Sequence, residues 1–213
     1  MYVCHLLIYY LNTVRYFFYF LLLFSFYSCA EKSDTAIKKR KICLLTLTNK
    51  EHEFMPKIKQ KIESFYGCSV TILPHVKPPL NTYNSARKMY YADSILRFLD
   101  KTKLEEYHHI IGITDADITT IFYNKDEKVV FGLGYCPGTS NVLSTNRLYI
   151  DSPTQDKVKE RIGNVAIHEL GHNFGLKHCS DTACLMHDTE GKLINTEGVK
   201  SLCTNCKTFL SKL

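Results

Sequence analysis

The sequence predicts an α+β domain whose N-terminal part alternates strands and helices in α/β fashion. Three observations predict it. Short apolar runs, KICLLTLT at 41–48, SVTIL at 69–73 and YHHIIGIT at 107–114, are separated by segments of helical period. A long helical segment further on carries the string HELGH at 168–172. Beyond it, four cysteines fall in two close pairs, Cys179 with Cys184 and Cys203 with Cys206. The expected architecture is a twisted mixed sheet, one helix that carries the chemistry, and a small C-terminal subdomain clamped by the cysteines.

At 213 residues there is room for one domain and an export segment, with enough chain to bury a core. The net charge of +6 is scattered and forms no basic stripe interleaved with aromatics, so no nucleic-acid partner is expected. Residues 1–28 hold Arg15 as their only Lys or Arg and no acid. From Tyr16 to Tyr27, only Ser25 interrupts an apolar and aromatic block of signal-peptide length. A small residue, Ser28, precedes Cys29, which looks like a lipobox with Cys29 as the lipidated first residue of the mature chain. An uncleaved signal anchor and a misplaced start codon are the other readings. The chain is therefore expected to be exported and membrane-anchored, as a bacterial lipoprotein in the periplasm or at the cell surface. Residues 30–40 read as a charged tether, and the domain is placed at 41–213.

Lys41 to Thr48 reads as a buried strand. Phe54 to Tyr66 reads as a helix, with Pro56 in its first turn and Gly67 as its stop. A second strand follows in Cys68 to Val76, then a Pro-rich loop at 74–79. Asn84 can cap a helix to about Lys101, with Met89, Ala92, Leu96 and Leu99 along one core-facing stripe. Tyr107 to Thr114 is a third strand, on which the neighbours His108 and His109 point to opposite faces and read as structural. Asp115 and Asp117 read as a strand-ending turn. Val129 to Tyr135 is a strand with glycines at 132 and 134, followed by a loop of Pro137, Gly138 and Ser140. The helix with HELGH is placed from about Gln155 to Phe174, its first half exposed from Asp156 to Arg161. Cys43, Cys68 and Cys136 read as small buried hydrophobes.

The chemistry is concentrated in HELGHNFGLKHC, residues 168–179. His168 and His172 are four apart, which on a helix brings their imidazoles about 40° apart on one face. Glu169 projects beside a metal held there, where a general base belongs. Gly175 permits the turn that returns the chain and offers His178 as a third ligand. Three neutral imidazoles and one open position make a catalytic zinc site. A shuffled chain of this composition would contain the string with about 4 chances in 100,000. The four cysteines, with C-x4-C and C-x2-C spacing, read either as a tetrathiolate zinc site or as two disulfides.

The full run, HExxHxxGxxHC, a C after four intervening residues, M next but one, then CxxC, resembles the archaemetzincin family of metallopeptidases. The resemblance implies a metzincin-type fold over 41–213 and a zinc-dependent peptidase of peptide or protein substrates. It implies two zinc ions: a catalytic one on His168, His172 and His178, and a structural one on Cys179, Cys184, Cys203 and Cys206. It implies Glu169 as base and Met186 as the turn beneath the metal. Gly132, Leu133 and Gly134 would be the edge strand that pairs with an extended substrate. Sixteen residues separate Met186 from Cys203, one fewer than the family pattern, so a loop there is a residue shorter. A monomer is expected. The rival function is a membrane-anchored, zinc-stabilised binding protein with little or no proteolysis.

Overall fold

The computed structural model describes residues 36–49, 53–121, 127–151, 153–188, 190–198 and 200–213. The segment read as an export signal, with Cys29, lies outside them. Among the described residues no helix is long and apolar enough to cross a membrane.

Five strands make the main sheet: β1 (Lys41–Thr46), β2 (Ser69–Ile72), β5 (His109–Thr114), β8 (Gly132–Gly134) and β9 (Ser140–Ser144), in the order β2-β1-β5-β9-β8. The first four in that order run parallel, and β8 pairs antiparallel to β9 at the edge. Parallel strands covered on both faces need apolar residues throughout, which is why KICLLT and HIIGIT lack alternation. Ile42, Leu44, Ile111 and Ile113 face a core shared with α1 (Met55–Tyr66) and α3 (Gln155–Asn173). Cys43, Leu45 and Ile110 face the opposite core, built on α2 (Ala92–Thr102). Gly112 is bare because a Cβ there would meet Leu99 Cδ1 at 2.9 Å. The charged stretch before β1 is not all tether: Ala36–Lys39 forms a 3-10 turn that buries Ile37.

The first helix ends as expected, on Gly67 at φ 73°. The helix expected from Asn84 does not start there. A short hairpin occupies that stretch, β3 (Tyr83–Asn84) against β4 (Met89–Tyr91), and the helix begins at Ala92. Asn84 Oδ1 accepts from the Arg87 N–H, so the side chain that could have capped a helix closes a turn instead. Ala92, Ile95, Leu96 and Leu99 are all fully buried, so the stripe holds from Ala92 onward.

That hairpin belongs to a second sheet, β3-β4-β6-β7, with β6 (Asp117–Ile121) and β7 (Glu127–Val130). Asp115 lies in the bend that ends β5, as expected, but Asp117 already opens β6 and pairs with Arg147 at 3.1 Å. The polar look of DITT is deceptive. Thr119 donates to Lys128 O, and Thr120 donates to Asp93 Oδ2. The run 129–135 is likewise two strands, split at Phe131 between the two sheets.

Ser140, expected in a loop, opens an inner strand that runs to Ser144 with every residue buried. Its polar side chains bond to other elements, Ser140 to Leu96 O, Asn141 Nδ2 to Asn173 Oδ1 and Ser144 to Ala116 O, with Asn141 Oδ1 left without a partner among the described residues. Arg161 corrects the expected exposure of the first half of α3. It is 2% exposed, bonded to Leu148 O, Ile150 O and Glu197.

Candidate metal centre and cleft

Thr154 caps α3 by accepting from the Lys157 N–H at 3.3 Å. The helix runs to Asn173 and stops in a Schellman turn: Leu176 N–H bonds Gly171 O at 3.0 Å, Gly175 N–H bonds His172 O at 2.8 Å, and Gly175 has φ 94°. The reversal has two consequences. Leu176 O comes within 2.7 Å of His172 Nδ1, and His178 returns to the helix with ring centroids 4.9 Å from His172 and 5.5 Å from His168. One ring nitrogen from each of the three histidines lies within 4.8 Å of the others.

The second support comes from the tail. Leu185 O meets His168 Nδ1 at 2.8 Å and is itself held by the bond from Leu185 N–H to Ser201 O. Both helix histidines therefore place Nδ1–H on a backbone carbonyl, which leaves the lone pair on Nε2. Those two Nε2 atoms face each other at 3.1 Å. Burial holds both rings below the usual imidazole range, His168 down to about 3. Two neutral rings with opposed lone pairs repel, unless a cation lies between them. The donor set thus fits a zinc ion, for which neighbouring nitrogens about 3.3 Å apart are expected in tetrahedral geometry.

Met186 is fully buried under the helix. It fits there because Gly171 has no side chain: a Cβ would meet Met186 Sδ at 2.7 Å and Tyr66 Oη at 3.0 Å. Tyr66 in turn donates to Ile167 O at 2.6 Å, fixing the helix from below. The HExxH reading assigned no role to Gly171, although a glycine inside a helix is the signal that could have found it.

Glu169 is 7% exposed and lies directly beneath β8. A Cβ on Gly132 would fall 2.6 Å from its Cγ and 2.7 Å from its Oε1, so the bare strand is what admits the carboxyl. Burial pushes Glu169 up to about 8; the charge of Asp188 adds to this, and the Gly134 N–H opposes it. Ser144 N–H bonds Phe131 O, and Tyr135 N–H bonds Ser140 O, so residues 131 and 135 turn their backbone groups inward to β9. By the alternation of the ladder, Gly132 and Gly134 turn theirs outward, towards the cleft. Asn173 fixes this strand over the helix, its Nδ2 donating to Tyr135 O and Ser140 O. It is a second residue that no local motif announces.

The cleft is a cavity of about 890 Å³. Gly132, Leu133 and Gly134 line one side of it, and His168, Glu169, His172 and His178 also border it. Cys136, expected to be buried, is exposed at its rim, with Sγ 3.3 Å from Leu176 O.

The four tail cysteines come together a few residues away. Cys179 and Cys203 have sulfurs 3.8 Å apart, as do Cys184 and Cys206, and all four sulfurs lie within 4.8 Å of one another. A disulfide needs about 2.05 Å; the edge of a zinc–thiolate tetrahedron is about 3.8 Å, from a bond of about 2.3 Å. None of the four is in a disulfide. The Cys206 N–H lowers Cys203 to about 7, favouring a thiolate. Cys203 opens α4 (Thr204–Leu210), and its own N–H points to Cys184 Sγ at 3.3 Å. The donor set fits a structural site, in which four thiolates would leave no position for substrate or water.

Comparison with known proteins identifies the family and the fold. The profile of peptidase family M54 matches residues 36–212. An archaemetzincin from Saccharolobus solfataricus is 30% identical over 179 residues, covering 81% of this chain and 94% of its own length. One from Methanopyrus kandleri is 28% identical over 175 residues, covering 81% and 96%. The crystal structure of the Methanopyrus kandleri archaemetzincin superposes with a TM-score of 0.70, covering 82% of this chain and 95% of that one at 28% identity. The Archaeoglobus fulgidus archaemetzincin, solved as a malonate complex, gives 0.66 over 79% and 99%, also at 28% identity.

Proposed function

The chain belongs to peptidase family M54 and is a zinc metallopeptidase, and from that premise we propose that it hydrolyses peptide bonds of a chain laid along β8, with Glu169 as general base. His168, His172 and His178 would hold the catalytic zinc, and Cys179, Cys184, Cys203 and Cys206 a second, structural one. Bound zinc supplies the Lewis acidity that activates water at neutral pH.

The residues of the chain do the rest. The outward N–H and C=O of Gly132 and Gly134 offer an edge on which an extended peptide can add as a strand. Leu133 between them pairs inward with Val142 and keeps that edge straight. Glu169, buried beside the three imidazoles, would take a proton from water and return it to the leaving amine. Met186 packs beneath and keeps α3 from sinking into the core.

The observation that carries the reading is a buried carboxyl beside three converging imidazoles, in a cleft open to a peptide. A closed structural site has no use for such a group, which speaks against a zinc-stabilised binding protein without activity. Export and anchoring through Cys29 remain part of the proposal, and recovery of the whole protein in the soluble cytosolic fraction would remove them. The direct test replaces Glu169 with Gln and screens both proteins against a peptide library. Turnover should be lost while two zinc ions per chain stay bound, and equal cleavage by both proteins would refute the role.

A further inference from the structure

We propose that Asp188 is the positioning residue for His178, accepting its Nδ1–H so that the other ring nitrogen is presented to the metal. The inference rests on the metallopeptidase reading above and concerns how the third ligand is aimed.

The three rings are not supported alike. His168 and His172 each have Nδ1 on a backbone carbonyl, at 2.8 and 2.7 Å, and both are packed into the protein. His178 has no such packing: half of its side chain is exposed, and its Nδ1 faces the carboxylate of Asp188 at 3.4 Å. The ligand least fixed by burial is thus the one given a charged partner. Among the described residues, no other carboxylate pairs with any of the three rings. Glu190, on the same wall of the cleft, is held by Lys192 at 2.6 Å. A carboxylate on the far nitrogen of a ligating imidazole fixes the tautomer, limits rotation of the ring and raises its basicity.

Backbone pairing explains why an aspartate two residues past Met186 reaches a histidine ten residues earlier. Cys179 and His187 form an isolated parallel bridge. The Cys179 N–H bonds Met186 O at 2.8 Å, and His187 Nδ1 returns a bond to Cys179 O at 3.1 Å. His178 precedes one member of this bridge and Asp188 follows the other, so the two side chains are brought to the same side of the cleft. The register is set by residues of the cysteine clamp, and it delivers the carboxylate to the histidine centre. Asp188 also lines the cavity.

Because both Asp188 and His178 are about half exposed, removing the carboxylate leaves neither a core cavity nor an orphaned buried group. Any loss of metal affinity then reports on the ligand and not on folding. The test uses the full chain in detergent, as wild type, Asp188→Ala, Asp188→Asn and His172→Ala, each titrated with a chromophoric zinc chelator. Asp188→Ala should give up the histidine-held ion about 10- to 100-fold more readily, with the cysteine-held ion unchanged. Asp188→Asn should fall between, since its amide oxygen still accepts the Nδ1–H but carries no charge. Nitrogen-15 NMR of the zinc-loaded protein should find His178 protonated at Nδ1, and in zinc-stripped Asp188→Ala a mixture of tautomers. Chelator curves that coincide for wild type and Asp188→Ala would overturn the proposal. So would loss of both ions together, which would make Asp188 a support of the tail. If His172→Ala also matches wild type, the histidines hold no zinc, and the site reading falls before this one.

Discussion

The histidine cluster and the cysteine cluster are built from the same short stretch of chain and share one junction, His178 next to Cys179, yet they are opposite in character. The histidine donors grade from buried His168 to half-exposed His178 and border a cavity of about 890 Å³. The cysteine donors form a compact set with sulfur pairs 3.8 Å apart, folded into a tail held by backbone bonds. On the proposed assignment the first would keep a side open for chemistry, and the second would use all its positions on protein and only hold. The clamp also supplies the acceptor for His168 through Leu185 O, so the closed site positions the open one.

Four predictions would break or sharpen that contrast. The largest effect is on turnover: Glu169→Gln should lower kcat by about 10²- to 10⁴-fold with thermal unfolding and zinc content unchanged, as measured by peptide hydrolysis and elemental analysis. Next, Cys184→Ala should reverse the pattern. The clamp ion is lost, the tail loosens, and activity falls as a secondary effect, visible as increased amide exchange across 179–206 before any change in α1. If exchange there stayed as in wild type, the clamp would not organise the tail. Third, Gly132→Ala sets a methyl against the Glu169 carboxyl and should cost about tenfold or more in kcat/KM, by analogy with small misplacements of reacting groups, with little change in stability.

The fourth concerns stability alone. Glu197→Ala strands the Arg161 guanidinium, 2% exposed, without its carboxylate, at a cost of about 3 kcal/mol, read from urea denaturation. Its pH dependence has a definite sign. Lys157 and Arg161 hold the Glu197 carboxyl below the ordinary range, so its folded pKa lies below the unfolded value of about 4.3. The stabilisation is then present above that value and is lost as pH falls through the folded one. The difference between wild type and variant should therefore shrink in acid, and a gap that widened there would contradict the assignment.

The site was far more legible in the sequence than the fold around it. His168, Glu169, His172 and His178 lie within one helix and the turn that follows, where spacing alone fixes geometry. The signal fails where a residue acts through distant partners. Asn173 pins β8 over the helix through Tyr135 and Ser140, and Gly171 makes room for Met186, but both roles exist only after the chain has folded. Arg161 reads as a surface charge until Glu197, Leu148 and Ile150 surround it. The small sheet and the inner strand β9 were hidden for a related reason. Thr119, Thr120 and the serines of β9 look like loop residues, because their bonding partners lie in other elements. Apolar periodicity marks a strand whose neighbours are water and core; it does not mark one buried among hydrogen-bonding groups.

The most direct measurement is anomalous diffraction from crystals of the domain at the zinc absorption edge. Two peaks are expected, one ringed by the four sulfurs and the other about 2.0–2.1 Å from a nitrogen of His168, His172 and His178, with its remaining corner towards β8 and Glu169. A single peak at the cysteines, or a histidine-bound ion whose last position is closed by another side chain, would contradict the account.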